Sequence, residues 1–165
     1  MRFVDQYGAA LTRVAATLQF TLPGLPAMFA GDEIGASYEP YSNLTPIPWK
    51  DRYGLRPFYE RLIRIHHDVP SLHSHDVDVL ETSADSTFAY LRPASGGAPV
   101  VVFLNFGAKQ PTFSVSMTPA LAAAVGGGAM RDLLTGRRVQ LDVGSGSVSL
   151  PLGATSMVVL VPEGA

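Results

Sequence analysis

The sequence predicts an α+β chain whose first part mixes helix and strand and whose second part is all β. Three observations carry that reading. Tyr7, Leu11, Val14 and Leu18 recur at steps of four, three and four, one stripe of an amphipathic helix over about Asp5 to Phe20. Leu55, Phe58, Leu62, Ile65 and Val69 repeat that spacing, with Pro57 near the first turn and Pro70 just beyond the end. Beyond Pro70 the period falls to two: Phe113, Val115 and Met117 alternate with Thr112, Ser114 and Ser116.

Between the two helices, Pro23 and Pro26 stop the first one. The run "PAMFA", Pro26 to Ala30, is short, apolar and bounded by turn residues, which predicts a fully buried strand of a parallel sheet. Residues 31–54 are rich in Gly, Pro and aromatics and predict a long functional loop. In the second part, "DVDVLE", "STFAYLR", "PVVVFLNF", "TFSVSM", "RRVQLDV", "SVSLPL" and "TSMVVLV" predict an antiparallel sandwich. "ALAAAVGGGA", 120–129, predicts a mobile loop or a weak helical turn.

The first part is not a domain by itself. A lone buried strand needs neighbours on both sides, and two apolar helix faces need cover. The economical account is the end of a (β/α)8 TIM barrel over residues 1–72, incomplete alone, followed by a β-sandwich domain over 73–165.

Composition narrows the function classes. At 165 residues and 47% hydrophobic, the chain can build a core and is not globally disordered. Its net charge of −2 without a basic run predicts neither nucleic acid nor membrane as partner. The chain lacks cysteine, which removes disulfides and thiolate metal sites. Asp5 and Arg13 interrupt the N-terminal apolar stretch, so it does not read as a signal peptide, and Pro23 and Pro26 spoil the uncharged run 14–31 as a membrane helix. A soluble chain, with the cytoplasm favoured, is the expectation.

"FTLPGLPAMFAGDEIG", then "TPIPW", then "LRPFYERLIRIHHDVPSLHS", then strands containing "VVVFLNF" and "RDLLTG", closely resemble the C-terminal portion of the α-amylase family, glycoside hydrolase family 13. The resemblance implies that Gly24 to Glu33 carry the last barrel strand and its turn, that the helix near 55–69 is the last barrel helix, and that the sandwich is domain C. It implies a parent enzyme that acts on α-glucosidic bonds with retention, using a nucleophile and an acid about 5–5.5 Å apart. It also implies a third acid, in an Asn-His-Asp motif upstream of the first helix. The only asparagines are Asn43 and Asn105, and neither precedes His-Asp. No catalytic residue is therefore assigned, and the chain alone is expected to be inactive.

Five residues are expected to bind substrate: Asp32, Glu33, Tyr38, Tyr41 and Trp49. The loop holding them leaves the C-terminal end of a barrel strand, where active sites are built. Aromatic rings stack on the apolar face of a pyranose. Asp32 and Glu33 are sequence neighbours and would face opposite ways on a strand, so they do not form an acid–nucleophile pair. The bland account is that one caps a turn and the other pairs with an arginine or a backbone N–H. Some family members carry an arginine before the Pro-x-Pro-Trp stretch; "SNLTPIPW" has none.

His66, His67, His73 and His75 cluster with Asp68, Asp76 and Asp78, which fits either a zinc or nickel site or a polar helix end. No metal site and no cofactor is assigned. The expected partners are an α-glucan or maltooligosaccharide through the parent enzyme, and the upstream barrel or a second copy of the chain. The alternative is a stand-alone carbohydrate-binding or interaction module without catalysis.

Overall fold

A computed structural model describes residues 3–36 and 46–164. Nine strands form two antiparallel sheets among these residues. The larger sheet has the order β1-β2-β3-β9-β5-β6 and the smaller β4-β8-β7. Their ranges are β1 Asp78–Leu80, β2 Thr87–Arg92, β3 Val100–Asn105, β4 Thr112–Ser116, β5 Ala129–Asp132, β6 Arg138–Gln140, β7 Asp142–Val143, β8 Ser147–Pro151 and β9 Ser156–Pro162. Three helices accompany them: α1 Phe3–Thr21, α2 Arg56–Asp68 and α3 Pro119–Val125.

The sandwich interior follows from strand alternation. Leu91, Val101 and Phe103 of the larger sheet meet Val115, Val148 and Leu150 of the smaller one, with Leu121 and Val125 of α3 closing the side. The opposite face of the larger sheet is equally apolar: Tyr90, Val102, Leu104 and Val159 pack against Val14 of α1 and Ile65 of α2. Strand β3 is thus buried on both faces, which is why it reads as an unbroken apolar run. The helices lie on the sheet as a third layer, and Phe20, Leu55, Tyr59 and Leu62 seal α1 to α2.

Three expectations are corrected. The strand over Pro26–Ala30 is absent: these residues make no ladder pairing, and Phe29 is 46% exposed. A strand exists only through partners, and no other strand of the described chain lies beside this run. The first helix is not continuous, because Gly8 at φ 78°, ψ 167° breaks it between Tyr7 and Leu11. Tyr7 therefore leaves the buried stripe and is 49% exposed, stacked near Phe3 with ring centroids 4.6 Å apart.

The single run read over 137–143 is two strands in different sheets, β6 and β7. Leu141 marks the crossing: its side chain enters the core and its N–H donates to the Gly128 carbonyl at 2.9 Å. Gly128 has φ +83°, and a Cβ there would sit 2.6 Å from the Leu141 carbonyl oxygen, so only glycine permits this approach. Strand β5 escaped the sequence reading, since "AMRD" is short and half polar. The segment 120–129, expected as a mobile loop or a weak helical turn, instead carries most of a true helix, α3, capped by Thr118, whose hydroxyl accepts from the Leu121 N–H at 3.1 Å.

Candidate functional site

Asp32 and Glu33 occupy a single 3-10 turn, Asp32–Ile34, between two left-handed glycines, Gly31 at φ 92° and Gly35 at φ 60°. Each acid reaches back into its own turn. Asp32 Oδ2 accepts the Phe29 N–H at 3.0 Å, and Glu33 Oε2 accepts the Gly31 N–H at 3.0 Å. Gly35 also allows close packing, because a Cβ there would lie 2.7 Å from the Tyr53 ring. This geometry makes the acids hydrogen-bond acceptors that shape a turn.

Trp49 lies in the segment after the turn and is 60% exposed, available to a ligand face. Tyr38 and Tyr41 lie outside the described residues. Two side chains that the sequence reading passed over hold the Trp49 segment in place. Asp51 Oδ1 accepts the N–H groups of Tyr53 at 3.2 Å and Leu55 at 3.0 Å, and its Oδ2 accepts that of Arg56 at 3.0 Å. Arg13 of α1 donates to the carbonyls of Tyr53 at 2.6 Å and Gly54 at 3.2 Å. An aspartate five residues ahead of an Arg-Pro helix start was the available signal for the first. Nothing local signals the second, which joins residues forty apart in the chain.

Asp51 gives a pH-dependent expectation. Partial burial works against its charge, but the backbone N–H groups of Leu55, Arg56, Tyr53 and Gly54 outweigh that and hold its carboxyl below the ordinary 3.8. A carboxyl depressed in the folded state stabilises above its unfolded pKa, and this is lost as pH falls through the folded value. Asp51→Ala should cost about 1 kcal/mol at pH 7 in urea unfolding, as N-terminal capping losses do. The difference from wild type should shrink below pH 3.8. An equal difference at pH 7 and pH 3 would reject the capping role.

Tyr59 also stands near the turn. Burial, helped by the negative charges of Asp32 and Glu33, pushes its phenol up to about 12. Asp32 and Tyr59 line one cleft of about 280 Å³, walled by Phe3, Val4, Ala15 and Ala16.

The histidines divide among local tasks. His66 Nδ1 bonds the Phe20 carbonyl at 3.0 Å, His73 Nε2 bonds the His66 carbonyl at 2.6 Å, and His67 Nδ1 pairs with Asp68 at 2.7 Å on the surface. Among the described residues no group of three or more His, Asp or Glu could hold a metal ion. No helix among them is long and apolar enough to cross a membrane.

No family model matches the chain. Individual relatives do. The chain is 33% identical to the alpha-amylase MalA of Haloarcula japonica over 119 residues, covering 67% of this chain and 17% of the relative. It is 31% identical to neopullulanase 2 of Thermoactinomyces vulgaris over 145 residues, covering 84% of this chain and 24% of the relative. The chain thus spans about a quarter or less of the length of these curated relatives. In structure it superposes on the maltogenic alpha-amylase AmyB of Thermotoga neapolitana with TM-score 0.80 at 12% identity, covering 96% of this chain and 38% of that one. Two relatives above 30% identity and the shared sandwich agree with the motifs of Gly24 to Trp49, and the chain belongs to the α-amylase family, glycoside hydrolase family 13.

Proposed function

We propose that this chain is the closing section of an α-glucan-acting enzyme: residues 1–72 complete a (β/α)8 barrel and residues 73–165 form domain C, which covers and steadies it. The observation that carries the reading is continuity. Similarity to one relative extends over 84% of the chain and so runs through both the helical elements and the sandwich. The run Pro26–Ala30 agrees with it, since its apolar Ala27 and Phe29 are exposed and call for cover. Asp32, Glu33 and Trp49 then stand on the loop that leaves the last barrel strand. There the acids hold the loop's shape, and Trp49 offers a stacking face to a maltooligosaccharide.

In this reading the chain has no turnover of its own, because none of its residues matches a catalytic acid of the family. A reducing-sugar assay with maltooligosaccharides on purified chain should stay at the blank. Turnover that follows the protein through every purification step would sink the reading. The exposed Trp49 favours one other reading, a binding module without catalysis. Tight saturable maltooligosaccharide binding that Trp49→Ala abolishes would move the conclusion there.

A further inference from the structure

His66 and His73 meet where α2 ends and the chain turns toward the sandwich. Their rings stand edge to face, with centroids 5.4 Å apart and planes at 62°. Each ring bonds a main-chain carbonyl. A carbonyl only accepts, so in the neutral ring that bond fixes the tautomer. His66 donates from Nδ1 to Phe20 at 3.0 Å, and His73 donates from Nε2 to the His66 carbonyl at 2.6 Å. His66 Nε2 and His73 Nδ1 therefore keep their lone pairs, and neither has a hydrogen-bond partner among the described residues. Both rings line one cleft of about 430 Å³, whose other walls include Phe20, Pro26, Met28 and Ile63.

We infer that His66 and His73 form a two-histidine site for a borderline divalent ion of the zinc or nickel class, held by His66 Nε2 and His73 Nδ1 with water in the remaining positions. Spacing is the first support. Two imidazoles on one tetrahedral zinc, with Zn–N bonds of about 2.0–2.1 Å, have centroids about 5.2 Å apart. The pair already stands at 5.4 Å. Orientation is the second. A metal-binding imidazole characteristically donates its other N–H to a carbonyl or carboxylate, which holds the ring and raises its basicity. Both rings do so here. Wall chemistry sets the class. Among the described residues no carboxylate lines the cleft, so hard ions such as Mg²⁺ and Ca²⁺ lack their oxygen donors, while imidazole suits zinc and nickel. His67 reaches the same cleft, with Nδ1 paired to Asp68, but does not complete a three-residue group. A bound ion joins the last turn of α2 to the 3-10 turn Pro70–His73 and, through the Phe20 carbonyl, braces α1. The site does not depend on the α-glucan reading.

The test is a titration of the chain with zinc chloride at about pH 7.5, read by imidazole ¹⁵N shifts and by calorimetry, with magnesium chloride as control. Zinc should bind saturably at one ion per chain and move His66 Nε2 and His73 Nδ1 most. His66→Gln or His73→Gln should weaken zinc about tenfold or more, and His75→Gln should not. Saturating zinc should raise the melting temperature of wild type more than that of His73→Gln. Affinity should fall at about pH 5, where protons compete for the same lone pairs. The ¹⁵N readout on wild type decides the matter even where His66→Gln fails to fold. Shifts spread evenly over all four histidines, magnesium matching zinc, or binding unchanged in His73→Gln would each overturn the site. So would the absence of saturable binding, which would leave the pair as an aromatic contact alone.

Discussion

Replacing Arg92 by methionine should cost the fold about 2–4 kcal/mol, measured as a lower urea midpoint with the slope unchanged. Arg92 ends β2 and is fully buried. Its guanidinium spends its donors on main-chain carbonyls. Nε bonds Asp76 at 2.8 Å, Nη1 bonds Thr21 at 2.6 Å, and Nη2 bonds Leu72 at 3.3 Å and Ser74 more closely. One side chain therefore satisfies the last carbonyl of α1 and three carbonyls of the segment that follows α2. Burial pulls its pKa below the ordinary value while Tyr90 and Asp76 pull it back, and the guanidinium stays charged.

Methionine fills similar space but leaves four acceptors without donors in a dry region. Arg92→Lys should recover little, since an ammonium lacks the rigid fork that spans these positions. The damage should also be local. Hydrogen exchange in α1 and α2 should quicken before that in β3 and β9, because Arg92 fastens the helical layer to the sheet. Neighbouring Tyr90 shares that task, with its hydroxyl 2.5 Å from Thr21 Oγ1. A stability loss under 0.5 kcal/mol, or uniform exchange, would reject the role assigned here.

Arg92 also illustrates what a sequence conceals. "STFAYLR" announces a strand through its β-branched and aromatic residues, and the strand is there. Nothing in that string says that its last residue turns inward, because the partners lie 16 to 71 positions away. Periodicity reports which face is buried, not what a buried polar group meets. The stripes at Val14, Leu62 and Ile65 were legible for this reason, as was the alternation around Val115. Where one glycine overrode a period, as Gly8 did for Tyr7, the pattern misled. The site follows the same rule. The Gly-rich composition of 31–54 placed Asp32 and Glu33 in a loop, but the packing of Tyr59 against Phe20 exists only once α1 and α2 are assembled. Pro26–Ala30 has the composition of a buried strand yet joins neither described sheet, since strand identity belongs to the neighbours as much as to the run.

Asp132→Ala should be the most damaging single change within the sandwich, at about 2–4 kcal/mol. Asp132 ends β5 at 3% exposure. Its Oδ1 accepts from the N–H of Leu134 at 3.1 Å and of Val159 at 3.2 Å, and its Oδ2 from the Thr135 hydroxyl at 2.6 Å. Its main chain closes the same turn, since the Gly136 N–H donates to the Asp132 carbonyl at 2.7 Å. The carboxylate thus sets the β5–β6 turn and ties it to β9, the strand on which β3 and β5 both depend. Alanine would leave the Val159 N–H buried without an acceptor, and that penalty exceeds the worth of the bond itself.

Asp132→Asn separates charge from shape. Its amide oxygen can still accept from the Leu134 and Val159 N–H groups, and its NH₂ can donate to the Thr135 hydroxyl once that proton rotates away, so it should regain more than half of the loss. Thr135→Ala should cost about 1 kcal/mol, and combined with Asp132→Ala it should add almost nothing, because both remove one bond. Full additivity in that double-mutant cycle would place Thr135 outside the network.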